Sequence, residues 1–192
     1  MTGLKNGMLL YHGSYTIVKD ISLEKCGKAK DFGKGFYLTS SLSQARAFIR
    51  ASLRKAMTAG DVEIDQNYGY VSSFIYHEPA DGIETYEFPT TNREWLWFIA
   101  QNRRERLAKQ LHDKIDPQIF RAEITVGKVA NDNTNAIIIA YLGGLYGNIE
   151  SDEAVDDAIK RLLPDKLDDQ FCFLTERAIR CLEFHEATNY VI

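Results

Sequence analysis

The sequence predicts an α+β fold. Three observations carry that expectation. Short β-branched and aromatic segments recur along the whole chain. They outnumber the long amphipathic segments. No internal repeat or low-complexity tract interrupts them, so strands and helices share one architecture.

Gly7 to His12 reads as a short buried strand: a glycine, then large apolar residues. A polar stretch follows, ending in Asp31-Phe32-Gly33-Lys34-Gly35. Phe36-Tyr37-Leu38-Thr39 is a second strand. Ser41 and Gln44 form a capping box, S-x-x-Q, for the next helix. Ala45, Phe48, Ile49, Ser52, Leu53 and Ala56 then recur at helical spacing. Arg46, Arg50 and Arg54 lie on another face, read as solvated or as a contact for phosphate or an acidic partner. Residues 70–76 and 83–88 read as strands. Thr91 with Glu94 forms a second capping box, for a helix through Trp95 to about Asn102. Arg103, Arg104, Arg106 and Lys109 make a local basic cluster. Pro117 precedes a strand at 119–126. Thr134 to Leu142 is strongly apolar and is assigned as helix, closed by Gly143-Gly144. Ser151 to Leu163 is an acidic-start helix ended by Pro164. Phe171-Cys172-Phe173 is a strand, Thr175 to Ile179 a helical turn, and Cys181 to His185 a final strand.

The chain has 192 residues, 45% of them hydrophobic and 11% aromatic, so a sizeable core and one domain over 1–192 are expected. The net charge of -4 disfavours a broad nucleic-acid surface but not a local basic patch. Cys26, Cys172 and Cys181 are sparse and lack metal spacing, which reads as buried thiols in a reducing compartment and no metal. The apolar run Met8 to Tyr11 is too short for a signal segment or a membrane span, so a cytoplasmic protein without membrane attachment is expected. Delivery into another cell by a specialised secretion system would leave no such mark.

Three segments carry chemistry. In Tyr11-His12-Gly13-Ser14, Gly13 has no Cβ, so its backbone can approach a planar ligand and pair with a carboxamide. His12 and Ser14 supply a donor and an acceptor on either side. A turn at a strand end is the alternative. In the second segment, Gly33 and Gly35 permit a tight loop. Tyr37 and Phe48 offer two aromatic faces to one pocket, or else two core aromatics, with Phe48 on the apolar stripe. In the third, Asp168-Asp169-Gln170-Phe171-Cys172-Phe173, alternation puts Gln170 and Cys172 on one face. Gln170 is then either aimed into a cleft or an ordinary polar strand residue.

These segments, in this order, resemble the ADP-ribosyltransferase superfamily, in its His-Tyr-Glu branch with the poly(ADP-ribose) polymerases and diphtheria toxin. His12-Gly13-Ser14 matches the first motif of that branch. Gly33 to Tyr37, with Phe48 behind, matches the second. Gln170 stands where the third carries glutamate. The whole chain also resembles an uncharacterised bacterial family of that superfamily, through its YHGS start, its DFGKGFYLT block with Gln44-Ala45, Trp95-Leu96, Val129 to Asp132, and its late Asp-Gln strand.

The resemblance implies a split antiparallel β-sandwich with flanking helices and NAD in the cleft. Gly13 would pair with the nicotinamide carboxamide, helped by Ser14. His12 would contact the adenine-proximal ribose. Tyr37 and Phe48 would flank the nicotinamide, with Gly35 in the same NAD-binding set. NAD is the implied substrate and no metal is implied. ADP-ribose would pass to a protein or other acceptor, or to water, as in a mono-ADP-ribosylating toxin or effector with a neutralising partner protein.

His12, Tyr37 and Gln170 are the implied catalytic set, and Gln170 is the departure. Glutamine keeps a carbonyl acceptor but lacks the charge. A unit charge pair at about 4 Å, with an effective dielectric near 20, is worth roughly 4 kcal/mol, or about a thousandfold in rate. Gln170 therefore threatens turnover more than binding, and Gln170→Glu is expected to raise NAD hydrolysis. Asp168, Asp169, Glu176 and Asp132 are candidate replacement carboxylates. Two alternatives stand beside the transferase: a catalytically weak NAD or ADP-ribose binding module, and an RNA-directed member of the superfamily resting on the basic cluster.

Overall fold

A computed structural model describes residues 3–128, 134–162 and 168–192. Among the described residues seven strands lie in one hydrogen-bonded sheet: β1 (Leu9–Ser14), β2 (Phe36–Thr39), β3 (Tyr68–Tyr76), β4 (Thr85–Glu87), β5 (Ile124–Lys128), β6 (Asp169–Phe173) and β7 (Leu182–Val191). Their order is β4-β5-β6-β2-β1-β3-β7. Only β4 and β5 pair in parallel; the other neighbours are antiparallel. Among the described residues six α-helices accompany the sheet: α1 (Leu42–Ala59), α2 (Arg93–Arg103), α3 (Glu105–Ala108), α4 (Thr134–Leu142), α5 (Asp152–Leu162) and α6 (Glu176–Ile179). The α+β expectation is met.

The period-two side-chain pattern of the strands divides the core between the two sheet faces. Leu10, Phe36, Leu38, Phe74, Ile124, Val126, Phe171 and Phe173 fill one face. On the other, Tyr37 and Cys172 pack with α2, α4 and α5. Farther along that face, Ala45 and Ile49 of α1 meet Val71 of β3. Gln170 and Cys172 therefore share a face, as their alternation predicts.

The helices follow their sequence signals with informative exceptions. Ser41 caps α1 by accepting from the Gln44 amide at 3.2 Å. The Gln44 side chain does not return to close the box; it bonds the Thr39 hydroxyl instead. For α2 the cap is Asn92 rather than Thr91, accepting from Trp95 N at 3.0 Å. Glu94 is diverted to the Tyr86 hydroxyl, at 2.9 Å. The Gly143-Gly144 pair closes α4 as expected: Leu145 N reaches Ala140 O at 3.0 Å, with Gly144 in the left-handed region. Pro164 lies outside the described residues.

Strand boundaries differ more. Ile119–Arg121 is a 3-10 turn after Pro117, and β5 begins only at Ile124. The segment expected at 83–88 is a strand over Thr85–Glu87, with Glu84 and Phe88 adding flanking backbone hydrogen bonds to the β5 segment. Gly7 precedes β1, which starts at Leu9. Conversely, β7 runs on to Val191, because β3 offers it a partner along its full length. Its polar outer residues hid that extension from hydrophobic patterning.

The loop before β2 is pinned by Phe32. Its ring is 2% exposed and stacks between Phe88 and Phe98, with centroids 5.8 and 6.1 Å away. Gly127 makes room for it, since a Cβ there would lie 2.8 Å from the Phe32 ring. Phe32→Ala is expected to cost about 3–5 kcal/mol of stability, read as a lower urea midpoint. A midpoint unchanged within error would show that the loop is not anchored this way.

Candidate functional site

The sheet is thinnest between β1 and β2. There the ladder consists of the single pair Tyr11↔Thr39. By contrast β1 holds β3 through six pairs, and β2 holds β6 through four. Across β1 and β3, Tyr76 N donates to Met8 O at 2.9 Å. Backbone groups of alternate residues face opposite edges of an antiparallel strand. Met8, Leu10 and His12 therefore turn toward β3, while Tyr11 and Gly13 turn toward β2. The β1–β2 ladder ends before Gly13. At that level the Tyr37 carbonyl instead accepts from His12 Nδ1 at 2.9 Å. The Gly13 amide and carbonyl thus face a gap where the ladder stops, a notch covered by α1, beneath which Gly13 is buried.

Gly13 must be glycine for a packing reason as well. A Cβ there would overlap the Ala45 carbonyl of α1 and lie 3.3 Å from Phe48 Cβ. Phe48 is 51% exposed, so it does not belong to the buried stripe of Ala45, Ile49, Leu53 and Ala56. It stands beside Gly13 as a solvent-facing ring. Ser14 is buried and its hydroxyl accepts from Thr16 N at 3.5 Å, within its own turn.

His12 leaves β1 on the face opposite Gly13 and packs against Phe36, 4.6 Å between centroids. A carbonyl can only accept, so Nδ1 carries the hydrogen and Nε2 of the neutral ring is an acceptor. Burial pushes the imidazole pKa down, the Tyr37 carbonyl opposes that, and the charge of Lys30 adds to it.

Tyr37 and Gln170 leave their strands on the helical face, and the loop before β2 ties them together. The Tyr37 hydroxyl accepts from Phe32 N at 2.9 Å and donates to Gly33 O at 2.8 Å. Burial, then the Cys172 thiol and Asp31, raise its pKa well above that of a free phenol. Tyr37 therefore stays neutral and offers its ring, not its oxygen. Gly35 lies where a Cβ would crowd Cys172 Sγ and Phe173 O, which lets the loop run close over β6.

Gln170 is 7% exposed. Its Nε2 donates to Asp31 Oδ2 at 3.0 Å and to Lys128 O at 3.3 Å. Both partners are acceptors, which fixes the nitrogen end and turns Oε1 to the opposite side. Asp31 is 4% exposed and also binds Arg103 Nε, while its backbone carbonyl accepts from Asn102 Nδ2 at 2.9 Å. Sequence reasoning missed Asp31, Asn102 and the inward role of Arg103. Asp31 heads the DFG block, but its partners lie 72 and 139 positions away.

The candidate replacement carboxylates lie elsewhere. Asp169 points away from Gln170 and pairs with Lys128 at 3.0 Å. Asp168 and Glu176 are exposed. Asp132, with the Val129 to Asp132 segment, falls outside the described residues. The basic cluster is partly spent internally, Arg103 on Asp31 and Arg104 on Asn135 at 2.7 Å.

The notch is thus flanked by His12 on one face and by Gly13, Phe48 and Tyr37 on the other. Gln170 lies beyond Tyr37, on the neighbouring strand. An open concavity of about 500 Å³ lies apart from all of these, lined by residues including Tyr76, Asp81, Glu84 and Arg177. Among the described residues no group of three or more His, Cys, Asp or Glu is placed to hold a metal, and no helix is long and apolar enough to cross a membrane. The three cysteines are free thiols, Cys172 and Cys181 buried and Cys26 partly so.

Sheet, helices and notch define a mixed α+β domain with one buried polar tie beside a weak strand junction. The chain belongs to the family described as a protein of unknown function, DUF3990, which it matches over residues 8–184. No curated protein and no solved structure matches it.

The lowered pKa of His12 makes a signed prediction. The unfolded chain takes up a proton near the ordinary imidazole value of about 6.5, which the folded ring refuses until lower pH. The contribution of His12 to stability is complete above that value and is lost as pH falls toward the folded value. His12→Asn keeps a donor for the Tyr37 carbonyl but does not titrate. Its unfolding free energy is expected to fall less steeply than that of the wild type between pH 7 and 5. Parallel slopes would contradict a half-buried, neutral His12.

Proposed function

We propose that the protein is an NAD-binding mono-ADP-ribosyltransferase of low intrinsic turnover, with NAD seated at the notch between β1 and β2. The observation that carries this reading is the unladdered backbone edge of Gly13, flanked by the Tyr37 and Phe48 rings. A nicotinamide carboxamide needs one donor and one acceptor at fixed spacing, and a strand edge supplies both. Aromatic faces suit its flat ring. The weak β1–β2 junction is also where the split of a transferase-type sandwich would fall. Nε2 of His12 is left as an acceptor for a ribose hydroxyl.

The reaction breaks the bond between the nicotinamide nitrogen and the ribose carbon. Nicotinamide leaves with the electron pair, which neutralises its ring. The ribose becomes oxocarbenium-like, the acceptor or water bonds to its carbon, and the acceptor's proton passes to solvent. Gln170 Oε1 serves as a fixed acceptor for a ribose hydroxyl. No negative charge comes from Gln170 itself, and the Asp31 carboxylate behind it is offset by Arg103.

That arrangement also favours a second reading, in which the notch holds NAD or ADP-ribose without turnover. Calorimetry with NAD beside an extended nicotinamide-release assay separates the two. The transferase reading expects binding and slow release that depends on Tyr37. Tyr37→Ala should weaken NAD binding by up to about tenfold, the worth of one aromatic stack. Binding without release under any acceptor mixture supports the second reading, and no binding removes both.

Asp31 also changes what Gln170→Glu alone is expected to do. It would set two carboxylates near 3.0 Å apart, and one of them would retain a proton. The single variant should therefore gain little NAD hydrolysis, while Gln170→Glu with Asp31→Asn should gain more. Equal rates in the two variants would place Asp31 outside the reaction.

A further inference from the structure

Far from the notch, β4 ends the strand order, and among the described residues no strand lies beyond it. On its inner side Glu84 O accepts from Ile124 N at 3.1 Å, and Phe88 N donates to Val126 O at 2.9 Å. By alternation Glu84, Tyr86 and Phe88 turn their backbone groups to β5, while Thr85 and Glu87 turn theirs outward. Thr85 and Glu87 also line the open concavity of about 500 Å³. The free strand edge and the concavity are therefore one surface. Four carboxylates line it: Glu78, Asp81, Glu84 and Glu87. Among the described residues its one lining cation is Arg177, which is taken by Asp81 at 2.9 Å and by Glu123, outside the concavity, at 2.6 Å. Glu87 receives the Leu4 amide at 3.0 Å. Glu78 and Glu84 are exposed, and their side chains make no ion pair among the described residues.

A short, charged edge strand is a common guard against stray pairing. Here the guard is selective. An acidic strand is repelled, whereas a cationic one meets carboxylates that lack partners. We propose that the β4 edge and its concavity dock an extended, lysine- or arginine-bearing segment of a partner protein by strand addition. Thr85 and Glu87 supply donors and acceptors to the backbone of that segment. Its alternate side chains fall beside the Thr85 and Glu87 side chains, where Glu78, Glu84 and Glu87 face the cations. The open edge fixes the extended conformation of the partner, and the lining charge fixes its sign. Nothing in this surface depends on NAD or on the notch.

Fluorescence anisotropy of the whole chain with a short acetylated peptide of alternating lysine and threonine tests the surface. The wild type should bind it, with amide shifts concentrated at Thr85 and Glu87. Glu78→Gln with Glu84→Gln should weaken binding several-fold at low salt, and wild-type binding should fade as salt rises. Thr85→Pro removes an outward donor and spares the β5 ladder. It should weaken the peptide by about threefold to tenfold, the worth of one backbone hydrogen bond. The same peptide methylated on its backbone nitrogens keeps every charge but cannot join a sheet. On the wild type it should bind about tenfold more weakly or worse, a comparison that needs no variant to fold. Spermine, which carries charge but no peptide backbone, should not respond to Thr85→Pro. Equal binding of the plain and methylated peptides would reveal an acidic surface without strand addition and overturn the proposal. Equal binding of the lysine peptide and a glutamate counterpart, or no binding of the lysine peptide, overturns it too.

Discussion

The buried carboxylate of Asp31 is the interaction on which the site depends. It meets Gln170 of β6 and Arg103 of α2, and its own backbone carbonyl takes the Asn102 amide. Phe32 next to it is locked in the aromatic core, and the Phe32 amide reaches the Tyr37 hydroxyl. One short loop thus holds β2, β6 and α2 in fixed relation. Such a carboxylate is costly to bury unless it is paired and hydrogen-bonded, and here it is both. The Tyr37 ring is fixed as a consequence, since its oxygen has no further freedom.

With β2 held on that side, its carbonyl at Tyr37 is claimed by His12 rather than by Gly13. The sheet therefore parts at Gly13 instead of zipping closed. The two functional readings share this geometry and differ only in how much charge reaches the ribose carbon. Gln170 is held by Asp31 as an oriented dipole, which suits binding more than acceleration of bond cleavage.

Much of the fold was legible in the sequence because it is local. The Ser41 cap, the apolar Thr134 to Leu142 helix, the Gly143-Gly144 stop and the alternation around Gln170 each follow from neighbouring residues. Failures came where a distant partner won. Glu94 was taken from its capping box by Tyr86, and Gln44 from its own by Thr39. The polar outer half of β7 formed because β3 was there to pair with it. Phe48 is exposed because the buried face of α1 is the Ala45, Ile49, Leu53 and Ala56 stripe, from which Phe48 is rotated away. Asp31 was invisible too: a lone aspartate in a loop gives no sign of the glutamine and arginine it will meet.

The Gly13 backbone edge lies outside the β1–β2 ladder beneath α1, and in the proposed function it pairs with a planar amide. Amide proton and nitrogen shifts of Gly13 during a nicotinamide titration test that pairing most directly. A saturable shift and slowed hydrogen exchange at Gly13, with smaller changes at Tyr37, are predicted. A Gly13 amide unmoved at saturating nicotinamide would show that this edge does not bind the carboxamide.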